Sequence, residues 1–451
     1  MTQPNLLFLF SDQQRWDTCG CYGQPLAVTP NLDRLAAEGV RFERAYTCQP
    51  VCGPARACLQ TGLYAEANGC YTNNIALDYT RTPEFLAPRL AQAGYETGYL
   101  GKWHLASTGE NKQDVTDRPP MDHKTKPVPP AYRAGYNDFW LASDILEFTS
   151  HGYDGYMFDA DMDRREFPEG RYRADAQTDW LLEFLQSRTG DRPWFLFSSW
   201  IEPHHQNDHN HYEGPHGSKE RFADFVCPGD LVETEGDWRE EYPDYLGCIN
   251  ALDHNLGRIL DELERLGMRE NTIIIYTSDH GSHFRTRNRG YKRSCHEGCV
   301  RIPMVIHGPG FTGGRVVDEL VSLIDLPPTL LAGAGIDVPD NWHGRALQPL
   351  AEGAAVDWPE EAFIQISESQ CGRAIVTKKW KYSCWVPGFK GPRSDTYTEA
   401  FLYDLENDPD ERHNLVADPG HAEVRAQLAE RLKARMVAAG ETAPAILPAD
   451  A

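Results

Sequence analysis

Asn5-Leu6-Leu7-Phe8-Leu9-Phe10-Ser11-Asp12-Gln13 sets the reading of the chain. Its apolar run is short and shows no alternation with polar residues. That suits a strand buried on both faces. The run stops at Ser11-Asp12-Gln13. The same design recurs downstream. Thr272 to Thr277 is a second apolar strand and ends in Ser278-Asp279-His280-Gly281. Trp194 to Trp200 is a third, followed by Pro203-His204. Thr97 to Leu100 reads as a fourth, just before Lys102, and Pro303 to His307 as a fifth.

Helical periodicity fills the intervals. Thr29-Pro30-Asn31 opens a helix with Leu32, Leu35 and Ala36 on one face and Gly39 as its stop. Thr82-Pro83 starts another through Leu90, and Ala174 to Gln186 forms a third. Tyr245 to Leu266 is strongly amphipathic, with Ile249, Leu252, Leu256, Ile259, Leu263 and Leu266 at helical spacing. Alternating strands and helices predict an α/β fold: a large mixed, mostly parallel sheet sandwiched by helices. Beyond residue 360 the pattern changes. Arg373 to Val386 and Phe401 to Leu405 read as antiparallel strands and His421 to Ala438 as a closing helix. The expected division is therefore a catalytic domain at 1–360 and a small α+β domain at 361–451. Two stretches, about 107–175 and 205–245, read as insertions. The first holds Pro119, Pro120, Pro127, Pro129 and Pro130 with little periodicity, which predicts irregular structure over a site.

The formal net charge of −23 over 451 residues argues against nonspecific nucleic-acid binding. An anionic substrate would need a local positive pocket in an acidic protein. No apolar run is long enough for a membrane span. The N-terminus lacks a basic region before its apolar run, so a cytoplasmic location and mostly reduced thiols are expected for the 12 cysteines. Cys19/Cys21 and Cys295/Cys299 are close enough in sequence to share a metal, although small buried hydrophobes is the favoured reading. Nothing in the sequence sets the oligomeric state, and a homo-oligomer stays open.

In parallel sheets, ligands sit beyond the carboxyl ends of the strands. Asp12, Lys102, His204 and Asp279 all fall there. Asp12-Gln13 and Asp279-His280 together offer four ligands to a hard dication; an Asp after a strand is also a common helix cap. Cys52-Gly53-Pro54-Ala55-Arg56 places a cysteine at a helix start. It reads either as a buried core residue or as a thiol activated by the helix end and Arg56. His204, His205, His209 and His211 crowd one polar loop.

Together these segments resemble the formylglycine-dependent (type I) sulfatases of the alkaline phosphatase superfamily. The matching segments include Thr29-Pro-Asn-Leu-Asp33, Cys52-Gly-Pro-Ala-Arg56, Gly101-Lys-Trp-His104, Lys292 to Pro303 and Leu402 to Leu415. The resemblance spans most of the chain and fades in the two insertions. It implies that Cys52 is oxidised to formylglycine by a separate maturation enzyme. The hydrated aldehyde then attacks sulfur and later expels sulfate by collapsing back to the aldehyde. It further implies that Asp12, Gln13, Cys52, Asp279 and His280 hold one divalent metal. Gln13 stands where many members have a second acid, which keeps Ca²⁺ and leaves Mn²⁺ as the alternative. Arg56 would neutralise the nucleophile and the sulfate. Lys102 and Lys292 would bind sulfate oxygens, and His104 would hydrogen-bond the nucleophile. His204 would protonate the leaving oxygen, with His205 its rival for substrate contact, and Asn73 would touch the transferred group. Phosphonate monoester and phosphodiester hydrolases share several of these segments, but resemble one another in placing Tyr and Thr where this chain has Lys102 and His104. A sulfate ester, of a carbohydrate, choline-type, aryl or alkyl compound, is the implied substrate.

Overall fold

The computed structural model describes residues 3–82, 84–108, 122–188 and 192–449. The apolar runs become strands that are covered on both sides. In β1 (Asn5–Ser11), Leu6, Phe8 and Phe10 enter one hydrophobic core while Leu7 and Leu9 enter the other. This is the two-residue alternation of a pleated strand with helices over both faces.

Eleven strands among the described residues form the main sheet. They are β1, β2 (Val40–Tyr46), β3 (Glu96–Lys102), β4 (Phe139–Ser143), β5 (Tyr156–Phe158), β6 (Arg164–Glu166), β7 (Trp194–Ser199), β8 (Thr272–Ser278), β9 (Arg301–Ile302), β10 (Met304–His307) and β11 (Arg315–Ser322). Their order is β11-β2-β10-β8-β1-β7-β3-β4-β5-β6, with β9 paired to β2. The central run from β8 through β1, β7 and β3 to β4 is parallel throughout. β10 is antiparallel to both β8 and β2, so β2 runs in the same direction as β8. The carboxyl ends of β2, β8, β1, β7 and β3 therefore open on one edge, the position that suits a site.

Aromatic rings bind the central strands to each other. Phe197 of β7 stacks on Phe8 of β1 at 4.5 Å and on Tyr99 of β3 at 5.2 Å. Tyr99 stacks in turn on Trp140 of β4 at 5.4 Å. Helices cover the faces. The helix Trp238–Arg265 buries Leu252, Leu256, Ile259 and Leu263 beside Leu32 and Leu35 of the helix Pro30–Glu38.

A second sheet follows, of β12 (Ala362–Ile366), β13 (Cys371–Val376), β14 (Trp380–Val386), β15 (Thr396–Asp404) and β16 (Ala445–Leu447). The helix Ala422–Ala438 contributes Leu428, Leu432 and Met436 to the core there. Arg373 and Glu441 form a buried ion pair at 2.8 Å that ties the chain end to β13.

Three expectations need correction. The stretch 107–175 is not wholly irregular: Phe139–Ser143 is an integral parallel strand, paired with β3 from Gly98↔Phe139 to Lys102↔Ser143. A five-residue apolar run between charged segments gives no periodic signal, which is why the sequence hides it. The long helix begins at Trp238 rather than Tyr245 and carries Pro243 early in its length. The helix expected from Thr82-Pro83 runs instead as Leu86–Gln92, with Pro83 outside the described residues.

Phe197→Ala would remove the ring shared by three strands, and Phe197 is 1% exposed. The expected loss is about 3–5 kcal/mol of stability, seen as a lower denaturant midpoint with an unchanged dependence on denaturant.

Candidate active site

Each strand end contributes a different kind of group. Asp12 directly follows β1 and Asp279 directly follows β8, and both are fully buried. Lys102 is the last residue of β3. Cys52 is the first residue of the helix Cys52–Thr61, and Arg56 lies one turn further on.

These groups converge on the Cys52 sulfur. Sγ lies 3.3 Å from Asp12 Oδ1 and 3.3 Å from His280 Nε2, and the Lys292 ammonium donates to it at 2.7 Å. Lys292 Nζ also donates to His204 Nε2 at 3.1 Å. Asp12 Oδ2 is shared by Arg56 Nη2 at 3.0 Å and Lys102 Nζ at 2.9 Å. Arg56 is fixed further by the Lys102 carbonyl at 2.9 Å and by Ser199 Oγ at 2.6 Å. Three fixed cations thus surround two carboxylates inside a protein of net charge −23, which makes the pocket locally positive.

The charges decide one another's protonation. Burial penalises the Asp12 carboxylate. Lys102, His204, Arg56 and Lys292 outweigh that penalty and hold its pKa well below the usual range. For Asp279, Arg56 at 3.7 Å and Lys292 compensate less than the burial penalty. Burial, reinforced by Asp12, pushes it up to about 7. Burial also pushes the Cys52 thiol up to about 12, with Asp12 adding to the effect. Lys102 is raised despite its burial, because Asp12, Cys52 and Glu147 favour the ammonium. Burial lowers His104, His204 and His280 well below the ordinary histidine value; nearby lysines lower them further.

The donor set fits a divalent cation. Asp12, Cys52, Asp279 and His280 bring ligand atoms within 4.8 Å of one another, all buried. Asp279 Oδ2 is buried without a hydrogen-bond partner. His280 Nδ1 lies 2.8 Å from the Gly281 carbonyl, which can only accept. Nδ1 therefore carries the ring proton and Nε2 keeps its lone pair toward Cys52. Gln13 has a positive φ of 72°. Its backbone N–H donates to Asp279 Oδ1 at 2.9 Å and its side-chain nitrogen to Tyr212 at 2.7 Å. With the nitrogen committed, the side-chain carbonyl oxygen is the atom available to a cation. A buried orphan oxygen and a strained backbone at one place are features of a binding site.

The other expected residues take more varied positions. Asn73 Oδ1 accepts the Gly53 N–H at 2.9 Å, so it braces the helix start beside Cys52. His104 has a positive φ of 57°, donates its N–H to the Asp144 carbonyl, and leaves Nδ1 buried without a partner. His205 stacks on Tyr291 at 4.2 Å, with Nε2 buried and unpartnered. His209 and His211 lie further out in mixed His–carboxylate groups with His151, Asp208 and Glu213. Cys19, Cys21, Cys295 and Cys299 belong to no metal-ligand group among the described residues.

Sequence reasoning missed three partners. Ser199 holds Arg56, Tyr212 holds Gln13, and Glu147 pairs with Lys102 at 3.0 Å. Glu147 belongs to the stretch that looked irregular. Its only advance signal is its place just after β4, a strand that the sequence did not reveal.

A family model described as Sulfatase matches residues 4–336, and one described as N-sulphoglucosamine sulphohydrolase, C-terminal, matches residues 289–438. A protein described as an uncharacterized sulfatase from Escherichia coli is 33% identical over 96% of this chain and 87% of its own length. Human arylsulfatase A is 30% identical over 97% of this chain and 89% of its own length. An N-acetylglucosamine-6-O-sulfatase from Bacteroides thetaiotaomicron is 27% identical over 96% and 86%. Among solved structures, a putative sulfatase from Bacteroides fragilis superimposes with a TM-score of 0.81 at 23% identity, covering 97% of this chain and 96% of that one. A phosphonate monoester hydrolase of Agrobacterium radiobacter does so with 0.72 at 24%, covering 97% and 96%. Both share the fold.

Asp279→Ala would remove one ligand and the orphan oxygen together. Its affinity for divalent metal, measured by titration into chelator-treated protein, should fall by at least the roughly 10–100-fold that loss of a supporting partner costs.

Proposed function

This chain belongs to the sulfatase family and is a sulfuric ester hydrolase, and from that premise we propose that it hydrolyses a sulfated carbohydrate with position 52, matured to formylglycine, as nucleophile. The observation that carries this reading is the convergence on Cys52 Sγ of Lys292 at 2.7 Å, Asp12 at 3.3 Å and His280 at 3.3 Å. A sulfur atom with no exposed surface, placed among cations and metal-type ligands, is arranged for an oxyanion and not for core packing. A carbohydrate is favoured because the N-acetylglucosamine-6-O-sulfatase aligns over nearly the whole chain and the second family model is named for a sulphated amino sugar.

Asp12, Gln13, Asp279 and His280 hold one divalent cation, Ca²⁺ by the preponderance of oxygen ligands, with Mn²⁺ the alternative that the His280 nitrogen favours. When present, the cation supplies positive charge beside position 52, and the formyl group supplies on hydration an oxygen nucleophile in place of sulfur. The protein's own residues do the rest. Lys102 and Lys292 hold sulfate oxygens through fixed ammonium groups. Arg56, locked by Ser199 and the Lys102 carbonyl, keeps Asp12 ionised and in place. His204, whose Nε2 faces the pocket beside Lys292 at 3.1 Å, relays a proton from that ammonium to the leaving oxygen as the ester breaks. His104 presents a polar edge to position 52. Because Arg56 and Lys102 are held by carboxylates, a hydroxyl and a main-chain carbonyl, and Lys292 by Cys52 and His204, before substrate arrives, little reorganisation is left for the reaction.

Sulfate release should depend on the chemistry at position 52. Cys52→Ala is expected to lower turnover of an aryl sulfate by roughly 10⁴-fold or more. Mass spectrometry of the peptide containing Cys52, from protein made with a formylglycine-generating enzyme, should find aldehyde in place of thiol. Full activity in Cys52→Ala would end the nucleophile assignment. Faster turnover of an aryl phosphonate ester than of the matching aryl sulfate would move the preferred ester to phosphonates.

A further inference from the structure

Glu147 is a buried carboxylate that touches two residues of the site. It lies in the short turn Leu146–Phe148 after β4 and is 8% exposed. Its Oε2 is 3.0 Å from Lys102 Nζ and 4.0 Å from His204 Nδ1. Its Oε1 accepts from Asn207 Nδ2 at 3.1 Å, and its main-chain carbonyl accepts from Gln206 Nε2 at 2.8 Å. Both contacts come from the loop that carries His204, so the carboxylate and that imidazole are fastened to one another.

The state of the imidazole gives this contact a purpose. Nε2 lies 3.1 Å from the Lys292 ammonium, which can only donate. Nε2 therefore presents its lone pair, and the proton of the neutral ring sits on Nδ1. Nδ1 is buried without a hydrogen-bond partner, and the Glu147 carboxylate faces it. A separation of 4.0 Å is long for a hydrogen bond, but such contacts tighten when substrate closes a site. Lys102 supplies a second purpose. Asp12 draws its ammonium from one side at 2.9 Å. A single carboxylate would pull the cation onto itself; one on each side centres it.

We infer that Glu147 is a positioning residue that holds a proton on His204 Nδ1, so that Nε2 faces the bridging oxygen of the ester, and that centres the Lys102 ammonium on the sulfate. This rests on His204 acting as the acid, as assigned above. In that step the S–O bond of the ester breaks and its electron pair stays on the leaving oxygen. His204 Nε2 first takes a proton from the Lys292 ammonium 3.1 Å away; the leaving oxygen then takes that proton from Nε2, the ring returns to the neutral form with its remaining proton on Nδ1 toward Glu147, and Lys292 is left as the amine. The carboxylate keeps its charge throughout, as an orienting partner does.

A purely structural carboxylate and one that works through His204 differ in which substrates they affect. A leaving group that is already a stable anion needs little protonation, whereas an alcohol needs much. The test compares 4-nitrophenyl sulfate with a simple alkyl sulfate for the wild type, Glu147→Gln, Glu147→Asp, His204→Ala and the Glu147→Gln/His204→Ala double variant. Wild-type turnover of both substrates, abolished by Cys52→Ala, establishes the reading of the site independently. Glu147→Gln should then lower kcat for the alkyl sulfate by roughly 10- to 100-fold and for 4-nitrophenyl sulfate by much less, with KM changed by under about threefold. Glu147→Asp, which keeps the charge, should recover part of the loss. The double variant should be little slower on the alkyl sulfate than His204→Ala alone. An equal loss on both substrates, or none on either, would overturn the assignment of Glu147 while leaving position 52 as the nucleophile.

Discussion

The Asp12 carboxylate is the centre on which the architecture turns. It is fully buried, shares Oδ2 between Arg56 and Lys102, and sets Oδ1 3.3 Å from Cys52. Taking these ions out of water costs several kcal/mol each, and replacing such a cluster with apolar residues is often neutral or stabilising. A fold that merely needed stability would not require it. Removing one partner is different, because the rest are left as uncompensated buried charge. The cluster is thus all-or-none, which suits groups that must already be in place when an anion arrives.

The parallel sheet is what makes such a cluster affordable. β2, β8, β1, β7, β3 and β4 end on one edge, and Asp12, Asp279, Lys102 and Glu147 stand at or just beyond four of those ends. Main-chain hydrogen bonds in the ladder hold those ends in register, and the stack of Phe8, Phe197, Tyr99 and Trp140 packs the strands behind them. The second sheet takes part as well. Lys381 of β14 pairs with Glu297 at 2.8 Å and with Glu411 at 2.6 Å, all three buried. Glu368, beyond β12, accepts from the Asn73 N–H at 2.8 Å and from Arg293 at 2.8 Å. The segment carrying Lys292 is therefore clamped from outside the main sheet.

The sequence makes some of this legible and hides the rest for definable reasons. β1, β7 and β8 are readable because strands covered on both faces are written as unbroken apolar runs, and Asp12 and Asp279 follow from their ends. Lys102 is visible only as a strand-end residue and Arg56 only as a cation beside Cys52; their roles, and Lys292 altogether, came from resemblance to a family. Glu147, Ser199 and Tyr212 carry no local signal, since each matters through a partner 45 to 199 residues away. β4 escaped because its five residues sit between charged segments and show neither helical nor alternating periodicity. The Lys381 clamp is hidden in the same way: a lysine on a strand reads as solvated until the fold shows it fully enclosed.

Cys52 has no exposed surface at all. A second protein cannot seat a whole active site around a side chain enclosed in this way, so any enzyme that rewrites this side chain must find it while the chain is still open. Folding then acts as a one-way door. What has been done to residue 52 by the time the sheet edge closes is what the mature molecule keeps.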